Sequence, residues 1–136
     1  MRKAPAIYLL TETVDRTLVA NLNDYGVRVI LADSAAYVLK HWNGSGASLL
    51  VIQGENPLET ANFIREQFQR SPRVIPILCC GGEPPDDNKR MIWHFRDFEN
   101  PWKLTQKVLR LIKFLSAKRE KERRKDIRKL EKILDL

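Results

Sequence analysis

The stretch SLLVIQGENP, residues 48–57, decides how this chain reads. Four apolar residues, Leu49–Ile52, run without polar alternation into Gln53, and Gly54-Glu55-Asn56-Pro57 then turns the chain. An unbroken apolar run closed by turn residues is the pattern of a strand buried on both faces. Pro57 falls where the first turn of a following helix tolerates a missing N–H. Strand, turn and helix in that order form one unit of a β-α-β chain.

The same unit recurs outward from this point. Ala6–Thr11 reads as a first strand, and Val14, Leu18 and Leu22 follow at helical spacing until Gly26. Val27–Ala32 is a β-branched second strand. Asp33-Ser34 caps a helix carrying Ala36, Val38, Leu39 and Trp42. After Pro57 the helix continues to Phe68, and Val74–Cys80 reads as a fourth strand. The segment GGEPPDDNKRMIWHF is loop first, with room for a short helix from about Asp87 to His94. Asp97–Glu99 is expected as a short fifth strand, and an uninterrupted helical pattern runs from Pro101 to the end. Strands joined through helices lie parallel, with helices on both faces. The expected fold is therefore a flavodoxin-like, doubly wound α/β sheet of order 2-1-3-4-5 with a long C-terminal helix. Sites in such folds lie at the carboxyl ends of the strands, so Gln53 stands where chemistry would occur.

Bulk composition narrows the classes. The 136 residues, 43% hydrophobic and 30% charged, suit one globular domain. No apolar run approaches the ~20 residues that span a bilayer, and the N-terminus reads as a strand rather than a signal peptide. The adjacent Cys79 and Cys80 lack a metal-ligand spacing and read as reduced thiols of a cytoplasmic protein. The net charge of +7 divides unevenly: residues 1–116 hold 15 basic and 12 acidic groups, residues 117–136 hold 9 and 5. Two segments are expected on this basis, a domain over 1–116 and a helical extension over 117–136.

Order, length and landmarks together resemble a response-regulator receiver domain over roughly residues 5–115. The resemblance implies a third strand ending in a phosphate-accepting aspartate with a proline four residues later; Gln53 and Pro57 hold that pair of positions here. It implies an acidic pair after the first strand, where Thr11 and Glu12 are the nearest match. It implies a Ser or Thr after the fourth strand, where Cys80 or Gly81 falls. It implies Lys-Pro after the fifth strand, where Asn100, Pro101 and Trp102 stand.

Each departure has a chemical meaning. A carboxamide does not attack a phosphoryl donor. Mg²⁺ requires hard oxygen ligands, usually carboxylates, and Glu12 with Gln53 is a poor set. Asn100 donates hydrogen bonds but offers no fixed cation to offset phosphate charge. A neutral Gln53 also relieves the repulsion that clustered carboxylates suffer without a bound cation. Thr11, Glu12, Gln53, Cys80 and Asn100 are thus expected to form a degenerate phosphoacceptor site, with no catalytic residue, metal or cofactor. Asp86-Asp87 reads as a solvated helix start, and His41 and His94 as packed or surface histidines. Gly81-Gly82 lacks the spacing of a phosphate loop. Glu12 and Asp15 disfavour a flavin phosphate after the first strand.

The last helix is the strongest positive feature. Leu104, Val108, Leu111 and Leu115 step by four, three and four residues and would pack on the sheet. The stretch SAKREKERRKD then lacks large apolar residues, and Ile127, Leu130, Ile133 and Leu134 restart a stripe. A helix of about 35 residues extends ~50 Å, so its end projects, and a projecting helix is marginal alone. The expected partner is the same helix of a second copy in a parallel coiled coil, with Leu115, Ile127, Leu130, Ile133 and Leu134 as dimerisation residues. Trp93, Phe95 and Trp102 are expected near the output face that the resemblance implies, either as core residues or as an interface.

The function expected is a pseudo-receiver module of two-component-type signalling, independent of phosphorylation and acting by protein contact, and not an enzyme. Such a module would be a piece of a longer regulator carrying an output domain, or an interaction module acting alone. The competing class is nucleic-acid binding through KREKERRKDIRK, since Lys and Arg supply phosphate contacts; Glu120, Glu122 and Asp126 interleave there and weigh against it.

Overall fold

The computed structural model describes residues 4–68, 74–86, 90–97 and 99–134. Five parallel strands, β1 (Ala6–Leu10), β2 (Arg28–Ala32), β3 (Ala47–Gln53), β4 (Ile77–Cys80) and β5 (Ile92–Phe95), form one sheet of order β2-β1-β3-β4-β5. The helices are α1 (Arg16–Asp24), α2 (Ala35–His41), α3 (Pro57–Gln67) and α4 (Pro101–Leu134). This is the flavodoxin-like order that the alternation of apolar runs implied.

The strands read as unbroken apolar runs because alternate side chains enter two separate cores. Tyr8, Leu10, Leu50, Ile52, Ile77 and Cys79 pack with Val38 of α2 and Ala61 and Ile64 of α3. Ile7, Leu9, Leu49, Val51, Leu78 and Cys80 pack with Leu18 and Leu22 of α1 and with Leu104, Val108, Leu111 and Leu115 of α4. The β1–β3 register slips once, where Ala6 faces Ala47 but Ile7 faces Leu49. The extra residue, Ser48, satisfies its hydroxyl by donating to Ala6 O at 3.3 Å.

Helix starts follow local chemistry. Asp15 caps α1 by accepting from Leu18 N at 3.1 Å, and Ser34 caps α2 by accepting from Tyr37 N at 3.2 Å. Val14, expected inside the first helix, precedes that cap and is exposed. Gly26 ends the α1 segment at φ 79°, a value that glycine adopts without strain.

Two expectations between the fourth strand and the last helix are corrected. The fifth strand is Ile92–Phe95, not Asp97–Glu99. The short helix expected to reach His94 therefore does not: Ile92–Phe95 extends and pairs with Ile77–Cys80, and residues 87–89 lie outside the described residues. The apolar IWHF was the better strand candidate, because a parallel neighbour buries both faces and Asp97-Phe98-Glu99 offers two charges. Arg65 of α3 secures this part of the sheet. Its Nε and Nη2 donate to Ile75 O at 3.2 and 2.8 Å, and Nη2 also donates to Met91 O at 3.1 Å. One guanidinium thus ties the residues leading into β4 and β5 to α3, and burial lowers its pKa.

Candidate functional site

Because β1 is followed by crossovers to opposite sides, to β2 and then to β3, the loops after β1 and β3 diverge and leave a crevice at their carboxyl ends. A cleft of about 920 Å³ opens there. Its floor is made by the strand ends Leu10 and Ile52. Thr11, Glu12 and Thr13 line it from the loop after β1, Asp33 and Ser34 from the loop after β2, and Gln53, Glu55 and Asn56 from the end of β3 and its turn. Asp15, Thr60 and Glu99 complete the rim.

Three of the five expected site residues, Thr11, Glu12 and Gln53, therefore meet in one cleft. Thr11 Oγ1 is engaged locally, donating to Thr13 O at 2.9 Å. The other two do not line it. Cys80 is opposite Gln53 in the β3–β4 register, but its side chain is fully buried in the core shared with α1 and α4. Burial pushes its thiol up to about 12, and that of Cys79 up to about 11. Both thiols therefore stay protonated and inert near neutral pH. Asn100 lies beyond the strand end rather than on it, because β5 stops at Phe95. Its Oδ1 accepts from Trp102 N and Lys103 N, both at 3.1 Å, so it caps α4. An acceptor engaged by two backbone N–H groups is a helix start.

The rim also holds carboxylates that sequence reading did not assign to the site: Asp15, Asp33, Glu55 and Glu99 join Glu12, and among the described residues no Lys, Arg or His lines the cleft. The available signal was positional, since Asp33 directly follows β2 and Glu55 lies two residues past the end of β3. Among the described residues no group of three His, Cys, Asp or Glu side chains is placed to hold a metal ion. A cleft of five carboxylates, Gln53, Asn56 and hydroxyls of Thr11, Thr13, Ser34 and Thr60 presents acceptors and negative charge, which favours hydrogen-bond donors and cations over a phosphoryl group.

The aromatic residues distribute over the α1–α4 face. Trp93 of β5 is half-buried and meets Phe114 edge-on at 6.1 Å. Phe95 packs against the same core. Trp102 is exposed and stacks on Tyr25 at 5.8 Å. His94 Nε2 lies 3.0 Å from Gly82 O, and His41 sits at the end of α2 with its ring 4.4 Å from that of Tyr37.

α4 connects the two ends of the domain. It starts beside Glu99 at the cleft and runs back across the sheet to its base, where Lys118 Nζ comes within 3.8 Å of Met91 Sδ just before β5. Beyond Lys118, residues 119–134 are all exposed. Leu115, expected among the dimerisation residues, is instead buried in the domain core at 4% exposure. Ile127, Leu130, Ile133 and Leu134 are 43–81% exposed and form the free stripe. No helix among the described residues is long and apolar enough to cross a membrane. Comparison with protein-family models, with curated proteins and with solved structures found no match to this chain.

Proposed function

We propose that this protein is a receiver-like signalling module that works without phosphotransfer, in the cytoplasm, by protein contact and by pairing of its C-terminal helix with that of a second copy. The observation that carries the reading is Gln53 at the carboxyl end of β3, inside the switch-point cleft, on a sheet of order β2-β1-β3-β4-β5. An amide at that position has no nucleophilic oxygen for a phosphoryl donor. Among the described residues no Lys or Arg lines the cleft beside its carboxylates, which disfavours an incoming phosphate.

Signal transfer in this reading is mechanical. Glu99 borders the cleft and the next residue, Asn100, caps α4. An occupant that moves Glu99 acts directly on the start of a 34-residue helix whose far end carries the apolar stripe. The occupant's differential affinity for two helix positions would set the population shift.

Two measurements test this. Incubation with a small phosphodonor and Mg²⁺ is expected to give no covalent adduct by intact mass; a stoichiometric phosphoryl adduct ends the proposal. Light scattering on the full chain is expected to give a concentration-dependent dimer, lost in Ile127→Ser/Leu130→Ser without change in the near-UV signature of the domain, to which Trp93 and Trp102 contribute. A nucleic-acid module predicts instead a steep salt-dependent affinity for duplex DNA that this pair of substitutions leaves intact.

A further inference from the structure

The face of α4 that carries the free stripe determines how two copies fit together. At ~3.6 residues per turn, Ile133 lies five full turns below Leu115 and so points to the same side of the helix. Leu115 points into the protein's own core. Ile127 falls on nearly the same meridian as Trp102, which faces α1 through its stacking on Tyr25. Leu130 lies between these meridians, and Leu134 close to that of Ile127. The stripe therefore faces the space directly beneath the protein's own sheet and α1, not the open side of the helix. Residues 119–134, the exposed length, reach ~24 Å below the base of the domain.

We infer that two copies pair through residues 123–134 in an antiparallel arrangement, each helix tip reaching toward the base of the other copy's domain beneath α1. This rests on the proposed dimer and specifies its geometry. In a parallel two-fold pair the symmetry axis runs along the helices. Each domain would then stand on the side of its own helix that faces the partner, and at the same height, so both would claim one volume. Antiparallel pairing puts the axis across the helices and sends the domains to opposite ends. The space beneath each sheet is then filled by the partner's helix.

Charge favours the same choice. With Ile127 and Leu134 at a and Leu130 at d, the flanking e positions are Arg124 and Glu131 and the g positions are Arg119, Asp126 and Ile133. Parallel pairing sets Arg119 against Arg124 and Asp126 against Glu131, both like-charged. Antiparallel pairing with Ile127 opposite Leu130 of the other copy sets Arg124 beside Glu131, twice by symmetry. Arg124 is exposed, and its surface contact to Glu120 at 3.5 Å is weak enough to be exchanged for Glu131 of the other copy.

The test is pulsed dipolar spectroscopy on the full chain, spin-labelled at Arg119→Cys or at Lys129→Cys. It is run at a concentration where light scattering gives the dimer mass. Cys79 and Cys80 are fully buried, so the label goes to the introduced thiol. Antiparallel pairing predicts a separation of ~30 Å at position 119 and under ~20 Å at position 129, from the helix rise and an interaxial distance of about 10 Å. Short separations at both sites, or long ones at both, overturn the arrangement while leaving a dimer. A monomer mass at every concentration, with no dipolar signal, overturns the dimer itself. As a second measurement, Arg124→Glu is expected to weaken dimerisation several-fold. Parallel pairing requires the opposite sign, because the Arg119–Arg124 repulsion would be relieved.

Discussion

Gln53 and Cys80 are register partners at the ends of β3 and β4, yet their side chains occupy different worlds: Gln53 borders an acidic cleft and Cys80 is sealed in the core. Replacing Gln53 by Asp adds a sixth carboxylate to a rim of five. Like charges that do not ionise freely together destabilise the fold. Gln53→Asp is expected to lower unfolding stability by about 1 kcal/mol at low salt and by less at high salt, where screening shortens the range of the repulsion. Urea denaturation at two ionic strengths checks this. Unchanged or greater stability at low salt would show that the cleft carboxylates do not act on position 53.

Asn100 caps α4 through two backbone N–H groups. Loss of such a cap costs about 1 kcal/mol, and Asp or Ser at the same position keeps it. Asn100→Ala is therefore expected to lower the unfolding midpoint, and Asn100→Asp to restore it. If the cleft controls helix pairing through this residue, Asn100→Ala also shifts the dimer constant. A stability change without any shift in pairing would detach the cap from signalling.

Arg65 makes three hydrogen bonds to two carbonyls in a half-buried position. Met91 O keeps the bond from Ile77 N at 2.9 Å, so Arg65→Met strips Ile75 O of its side-chain donor and is expected to cost about 1–3 kcal/mol. Arg65→Lys is not expected to rescue it, because an ammonium lacks the planar fork that reaches both carbonyls. Amide exchange should locate the loss at β4 and β5. Uniform loss over all strands would show that Arg65 acts on the whole fold instead.

The two thiols give a pH dependence of defined sign. Their folded pKa values, about 11 and about 12, lie above the ordinary 9.0 because burial disfavours the thiolate. Below pH 9 both states hold these protons and the thiols leave stability flat. Above it the unfolded chain loses protons that the folded chain retains, so their contribution falls as pH rises toward 11–12. A Cys79→Ala/Cys80→Ala variant is expected to show a shallower decline over that window. At pH 8 a thiol reagent is expected to modify the native chain only at the rate of unfolding.

Sequence alone determined the sheet. Runs such as Leu49–Ile52 and Ile77–Cys80 are apolar throughout, and only a strand packed on both faces removes all of that surface from water. It also determined that α4 outlasts the domain, since the stripe through Leu115 lapses and resumes at Ile127. Asp97–Glu99 reads as the last strand because it lies next to Pro101, whereas the parallel pairing of Ile92–Phe95 with β4 is non-local and leaves no periodic mark in four residues. Only the tertiary structure decided which polar residues meet. Asp15, Asp33, Glu55 and Glu99 follow different strands and share one cleft because the strand order switches at β1, which sends the loops after β1 and β3 to opposite faces of the parallel sheet. It also decided that Cys80 points inward, Asn100 caps a helix and the free stripe of α4 faces back under the domain, since each depends on where a chain end leaves the sheet rather than on residue type.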